Sequence, residues 1–327
     1  MTVWTEKQKN TTLILGVVVL FIVVITCAWI IIFRPNIPSE ITAPETSATP
    51  TAPVLEQKVN QTISDIGLSV EGRVIQSYHF SWIHEEVGTK TLATLPSVAT
   101  TSQRILIIGG IHGGYEWNTA ILAWQLINYL EQNPNILPKN ISVSIVPNLN
   151  PDALFPVILK EGRLSLTDLP EMGLEEQKKY RFNKNEVDLN RNFACNWNEI
   201  SSWQGRKVSG GTEAFSEPES KAIRDYILSW QPNAVLVLHS ASGLIYASAC
   251  NGEIMPETSE IMNLYADTVN YGKQDEFDSY AISGAIEDWL ASIQIPALTV
   301  ELKNHIDVEW ETHLQAFLKI FEYYSQK

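Results

Sequence analysis

Positive charge is scarce in this chain. Its 327 residues carry 23 lysines and arginines against 37 aspartates and glutamates, a formal net charge of −14. Nucleic acid and anionic lipid surfaces both call for clustered Lys and Arg, so this balance argues against either as a partner. No internal repeat is visible. Cysteine is limited to Cys27, Cys195 and Cys250. The apolar run around Cys27 continues past it, so Cys27 reads as a membrane residue rather than a lipid-attachment site. Charge is missing altogether from Leu13 to Phe33, and an uncharged apolar run of about twenty residues is long enough to cross a bilayer as a helix. A cleaved signal peptide would need a shorter apolar core and a small-residue cleavage site, whereas this run ends in WIIIF.

These features divide the chain into a short cytoplasmic tail (residues 1–11), a transmembrane helix (12–33), a Pro/Thr/Ser-rich spacer (34–59) and a folded body (60–327). Lys7 and Lys9 precede the apolar run and only Arg34 follows closely, a weak bias that places the amino terminus inside. The expectation is a single-pass membrane protein, monomeric, with its body outside the cytoplasm.

Within the body, apolar runs alternate with helical patterns. RVIQSYHF (73–80), RILIIGG (104–110), SVSIVPN (142–148), AVLVLHS (234–240) and PALTVEL (296–302) read as strands. Asn118–Gln132, Glu217–Trp230 and Glu257–Tyr271 read as helices. Ser216 with Glu219 has the spacing of a capping box at the start of the second. The pattern predicts an α/β fold, one domain with a central mixed, mostly parallel β-sheet and helices on both faces. Ligands bind such sheets beyond the carboxyl ends of strands. His112, Asn148, His239 and Glu301 all fall there, and the expectation is that they share one site.

Two imidazoles and a carboxylate at strand ends are the donor set of a catalytic zinc with one position left for water. Hydrolysis at such a centre needs a separate carboxylate base, a position Glu301 suits, and cations for developing charge. RFNKNEVDLNRNF, residues 181–193, supplies Arg181 and Arg191, and arginine is the residue for bidentate carboxylate recognition.

From about residue 62 onward the chain resembles the zinc carboxypeptidases of the carboxypeptidase A and B type. The likeness rests on ordered motifs: IGLSVEGR, GGIHGGYE, VPNLNPD, RFNKNEVDLNRNF, FSEPE, LVLHS, YAISGAIEDW and LTVEL. It implies one zinc per chain, held by His112, Glu116 and His239. It implies Glu301 as general base and Arg181 as the oxyanion-stabilising group. Asn190 and Arg191 would grip the substrate's terminal carboxylate, and Tyr280 would close over the bound end group. Glu287 falls where the resemblance places side-chain specificity, and an acid there favours a basic residue or an amino group such as that of diaminopimelate. The implied substrate is an extracellular peptide, with a cell-wall stem peptide cut between γ-glutamate and diaminopimelate as the alternative. An amidohydrolase of the aspartoacylase or desuccinylase type also shows an H-x-x-E and a DLNR loop. The second asparagine of NRNF and the segment Tyr280–Trp289 point to the peptidase branch instead. A non-catalytic binding domain is the reading from another class, and the full set of expected catalytic residues stands against it.

One departure from the family pattern bears on the metal. Three residues, Gly113, Gly114 and Tyr115, separate His112 from Glu116 where the family has two. Two glycines let the extra residue fold into a tight turn, so that Glu116 still faces the metal. Asp152 is read either as a turn residue or as a hydrogen-bond partner of a ligating histidine. His79, His84, His305 and His313 match no motif and read as surface or core residues. Cys195 and Cys250 are expected to form a disulfide.

Overall fold

In a computed structural model of the chain, the described residues are 56–85 and 102–327. The expected transmembrane helix and most of the expected spacer lie outside them. Strand β1 (Glu56–Leu68) begins inside the stretch 34–59 expected as spacer. Among the described residues no helix is long and apolar enough to cross a membrane.

The sheet is set by strands buried on both sides. β3 (Gln103–Ile108) from Ile105 and β7 (Ala234–Ser240) to Leu238 are continuous runs of Ile, Leu, Val and Ala, as parallel strands covered on both faces require. β4 (Ile141–Val146) is buried throughout but carries Ser142 and Ser144, the latter hydrogen-bonded to Ser77 and Tyr226. With β10 (Ala297–Leu302) they form the parallel centre β4-β3-β7-β10. β1 and β2 (Val74–Glu85) extend it as an antiparallel ribbon on the β4 side. On the other side, short β8 (Leu244–Tyr246) runs antiparallel to β10, and β9 (Gly272–Gln274) completes an eight-stranded mixed sheet. A separate hairpin of β5 (Ile200–Trp203) and β6 (Arg206–Ser209) stands apart from it.

Alternation along each strand divides the core. Ile105 and Ile107 pack with α1 (Trp117–Gln132), α2 (Pro151–Ile158), α5 (Pro256–Val269) and α7 (Trp310–Ser325) on one face. Leu106 and Ile108 pack on the other, with α4 (Pro218–Trp230) and α6 (Ile286–Ser292). A short turn, α3 (Leu174–Gln177), precedes the loop that carries Arg181. The expected class and its five strands are therefore present, and β1, β8, β9, the hairpin, α6 and α7 are additions to them.

The capping box is absent. Pro218 takes the first helical position of α4, so Glu217 is the N-cap, and it makes no side-chain cap bond. Ser216 Oγ instead donates to Glu217 Oε1 at 2.8 Å, and Glu219 accepts from the Val70 amide and from Asn183.

Candidate active site

β3 ends at Ile108, and the chain turns at Gly109-Gly110 into a 3-10 turn, Gly113–Glu116, that leads directly into α1. The turn lies against α2. A Cβ on Gly113, whose φ is +49°, would stand 2.4 Å from Ala153 Cβ, and one on Gly114 would stand 2.3 Å from Val157 Cγ2. Only glycine permits that approach, and it brings Glu116 beside the strand ends. Thr119 fixes the turn from within: its hydroxyl donates to the Glu116 carbonyl at 2.7 Å and accepts from the Gly110 amide at 3.0 Å. The neighbouring loop is tied alongside, since the Leu149 and Asn150 amides donate to the Gly109 and Gly110 carbonyls. Asn150 also caps α2 by accepting from the Ala153 amide.

His239 is the penultimate residue of β7 and pairs in register with Glu301 of β10. The turn and these two strands converge on a cavity of about 650 Å³. His112, Glu116 and His239 lie together in its wall, each 3% exposed or less, with donor atoms all within 4.8 Å of one another. Glu116 Oε2 is 3.3 Å from His239 Nδ1 and accepts from the Ser240 amide at 3.1 Å. His112 Nδ1 is buried without a hydrogen-bond partner, Asp188 Oδ1 standing 3.6 Å away. An orphan ring nitrogen within a His-Glu-His cluster fits the donor set and spacing of zinc. Burial, with Arg181 nearby, holds His112 well below the usual imidazole range, which favours the neutral ligating form.

The other expected residues gather around this cluster. Glu301 lines the same cavity. Burial and the charge of Glu116 push its carboxyl up, to about 8, before any metal charge acts in the opposite direction. Arg181 is 4% exposed; its Nε donates to Asp188 at 2.9 Å, its Nη1 to Glu116 at 3.3 Å, and its guanidinium lies 4.8 Å from the Trp203 ring centre. Arg191 is aimed by carbonyls, Nη1 on its neighbour Asn190 and Nε and Nη2 on Ser202 of the hairpin. Asn190, Arg191 and Tyr280 also line the cavity, and the Tyr280 ring meets Phe277 edge-on at 4.8 Å. Glu287 is 2% exposed; its Oε1 is 3.0 Å from His239 Nε2 and its Oε2 accepts from Asn190 at 3.4 Å. It is therefore paired within the protein rather than left as a bare pocket charge.

Three placements differ from the sequence reading. Asn148 lies outside the cavity lining. It packs against the turn instead, where a Cβ on Gly110 would stand 2.8 Å from its Oδ1. Asp152 does not face a ligating histidine: it accepts from Ser69, the Glu71 amide and Arg73, and so anchors the SVEGR motif. The acid beside His112 is Asp188, of the DLNR motif. His305, which matched no motif, lines the cavity; its Nδ1 is 3.0 Å from Ser240 Oγ and its ring 4.4 Å from that of Tyr115. Only the proximity of His305 to Glu301 in sequence could have signalled this. Cys195 and Cys250 form the expected disulfide, Cα–Cα 6.1 Å.

The motifs outside the cluster act as supports. Asn183 of RFNKN donates to both Glu217 and Glu219 of FSEPE. Asn192, the second asparagine of NRNF, donates to the Gly210 and Glu213 carbonyls and accepts from Ser220 and the Glu217 amide.

A mixed sheet with two histidines, a glutamate and two arginines at its carboxyl edge defines a metallopeptidase of the carboxypeptidase kind. Residues 55–318 match the zinc carboxypeptidase family, and the chain belongs to it. Carboxypeptidase B of Astacus astacus is 26% identical over 246 residues, which cover 70% of this chain and 74% of that protein. Carboxypeptidase A from Helicoverpa armigera is similar in structure, with a TM-score of 0.59 at 20% identity over 81% of this chain and 68% of that one. Murein-tripeptide amidase from Escherichia coli O157 is also similar, with a TM-score of 0.53 at 20% identity over 80% of this chain and 91% of that one. At such identities the two structural likenesses speak to fold alone.

Proposed function

We propose that this zinc metallocarboxypeptidase removes the terminal residue from the carboxyl end of peptides outside the cytoplasm, with Glu301 as general base. One observation carries the reading. A single cavity is lined both by the His112–Glu116–His239 cluster with Glu301 and by Asn190 and Arg191, so hydrolytic groups and a cationic clamp for a free carboxylate face the same space. Zinc held by His112, Glu116 and His239 would supply a Lewis acid there, able to lower the pKa of water and polarise a carbonyl. Glu301 takes the proton of the attacking water and passes it to the leaving amine. Arg181 steadies the oxyanion, Arg191 and Asn190 hold the terminal carboxylate, and Tyr280 closes over the end group.

The same cavity is also lined by Glu276 and Asp288, which supports a cationic end group: lysine, arginine, or the amine of diaminopimelate. Cleavage of a γ-glutamyl-diaminopimelate bond in wall stem peptides is the second reading, favoured by this acidic lining. Action outside the cytoplasm is supported by the Cys195–Cys250 disulfide, a bond of oxidising compartments, and by the uncharged run 13–33 as an anchor. The test gives the zinc-loaded protein peptides ending in Lys, Arg, Leu or Phe beside purified stem peptides, with products read by mass. Release of a basic end residue or of a diaminopimelate fragment supports one branch or the other, and cleavage of none of them refutes both. Membrane fractionation of the full chain against one starting at residue 56 tests the anchor.

A further inference from the structure

The contacts of Glu287 extend beyond the substrate pocket. It is the second residue of α6, and its carboxylate bridges two elements of the site: Oε1 is 3.0 Å from His239 Nε2, and Oε2 is 3.4 Å from Asn190 Nδ2. Asn190 returns the contact by accepting from the Ile286 amide at 2.8 Å, so the head of α6 and the 190–191 clamp are locked together. The other nitrogen of His239, Nδ1, faces Glu116 at 3.3 Å. An imidazole offers two nitrogens. In the zinc-bound protein, Nε2–H donating to Glu287 would leave Nδ1 as the nitrogen facing the metal, and the ring cannot swing away without breaking a buried bond.

We propose that Glu287 is a positioning residue of the metal centre, fixing the tautomer and aim of His239 and coupling that ligand to the carboxylate clamp through Asn190. Outer partners of this kind typically govern metal affinity by about ten- to hundredfold. A carboxylate serving only the substrate pocket would have no reason to be spent on the protein at both oxygens before substrate arrives. Its neighbour Asp288 lines the same cavity and leaves the pocket an acid for a substrate cation. Exchanging Glu287 for an apolar residue therefore weakens the metal centre rather than merely switching end-group preference.

The inference rests on His239 as a zinc ligand, so the experiment carries its own reference. Zinc affinity of the full chain is measured by equilibrium competition with a chelator for wild type, Glu287→Ala, Glu287→Gln, Asp288→Asn and His239→Ala. Thermal unfolding of the metal-free forms reports on folding. The expected pattern is a ten- to hundredfold loss for Glu287→Ala, a smaller loss for Glu287→Gln, which keeps an oxygen acceptor, and wild-type affinity for Asp288→Asn. Wild-type affinity in both Glu287 variants, with His239→Ala strongly impaired, overturns the proposal and leaves Glu287 a pocket residue. Unimpaired zinc binding by His239→Ala overturns the metal-site reading itself. Should Glu287→Ala fail to fold, the isosteric Glu287→Gln decides.

Discussion

Replacing Gly114 by alanine tests how the chain brings Glu116 to the metal. A Cβ there would stand 2.7 Å from the Ala153 carbonyl oxygen as well as 2.3 Å from Val157 Cγ2. The valine methyl group can rotate, but the carbonyl belongs to the backbone of α2. Restoring ordinary contact with it moves the turn by roughly 0.7 Å, because repulsion at shorter range is steep. Ligand distances at a metal site hold only to about 0.2 Å, so a shift of that size takes Glu116 out of reach. Overpacking of this kind typically costs about 1–3 kcal/mol. Each 1.4 kcal/mol of that cost borne by the metal-bound form is about tenfold in affinity, so zinc binding should weaken roughly ten- to hundredfold. Chelator competition measures the affinity, and thermal unfolding with and without zinc should show a smaller metal-induced rise in Tm. Gly162→Ala is the control. It has φ +75° and nothing within 4 Å of the added Cβ, so it should lose about 1 kcal/mol to backbone strain and leave zinc affinity alone. A folded Gly114→Ala protein that binds zinc as tightly as wild type would refute the reasoning.

His112→Ala and His239→Ala should each abolish stoichiometric zinc and activity together, as read by metal analysis of the purified protein, because each removes one of three protein donors. Glu301→Gln should keep zinc and fold yet slow kcat by about a hundredfold or more; loss of metal in this variant, with zinc retained in Glu116→Ala, would mean that ligand and base are interchanged. Acid stability follows from His79, which burial, with Arg104 adding to it, lowers from 6.5 to about 4. Its contribution is complete above pH 6.5 and is lost as pH falls toward 4, because the unfolded chain binds the proton first. His79→Phe, which keeps a ring against Trp230, should therefore shrink the stability lost between pH 8 and pH 5 by about 2 kcal/mol, measured by denaturant unfolding at both values.

The central strands and the ligand cluster were legible in sequence because their signals are local. A strand buried on both faces must be an apolar run, and a histidine after its last apolar residue must fall at the strand's end. His112 and Glu116 are four positions apart, and His239 and Glu301 each close such a run. The glycines between His112 and Glu116 announced a tight turn, and the packing of that turn against Ala153 and Val157 explains why both are needed. Where contacts span the chain, sequence gave no purchase. Asp188 rather than Asp152 approaches His112 because of how the 181–193 loop folds back, and Glu287 meets His239 across 48 residues of chain. Ser202 aims Arg191 from a hairpin that no apolar periodicity announces. β8 and β9 have three residues each, too short for any pattern, and exist because β10 offers an edge to β8 and β8 in turn offers one to β9. Local periodicity thus placed His112, His239 and Glu301 at strand ends, and the resemblance carried by the ordered motifs implied which residues bind metal. The order of strands in the sheet and the return of distant loops decided which carboxylates hold those residues in place, since a hydrogen bond depends on where two groups meet in space and not on their separation along the chain.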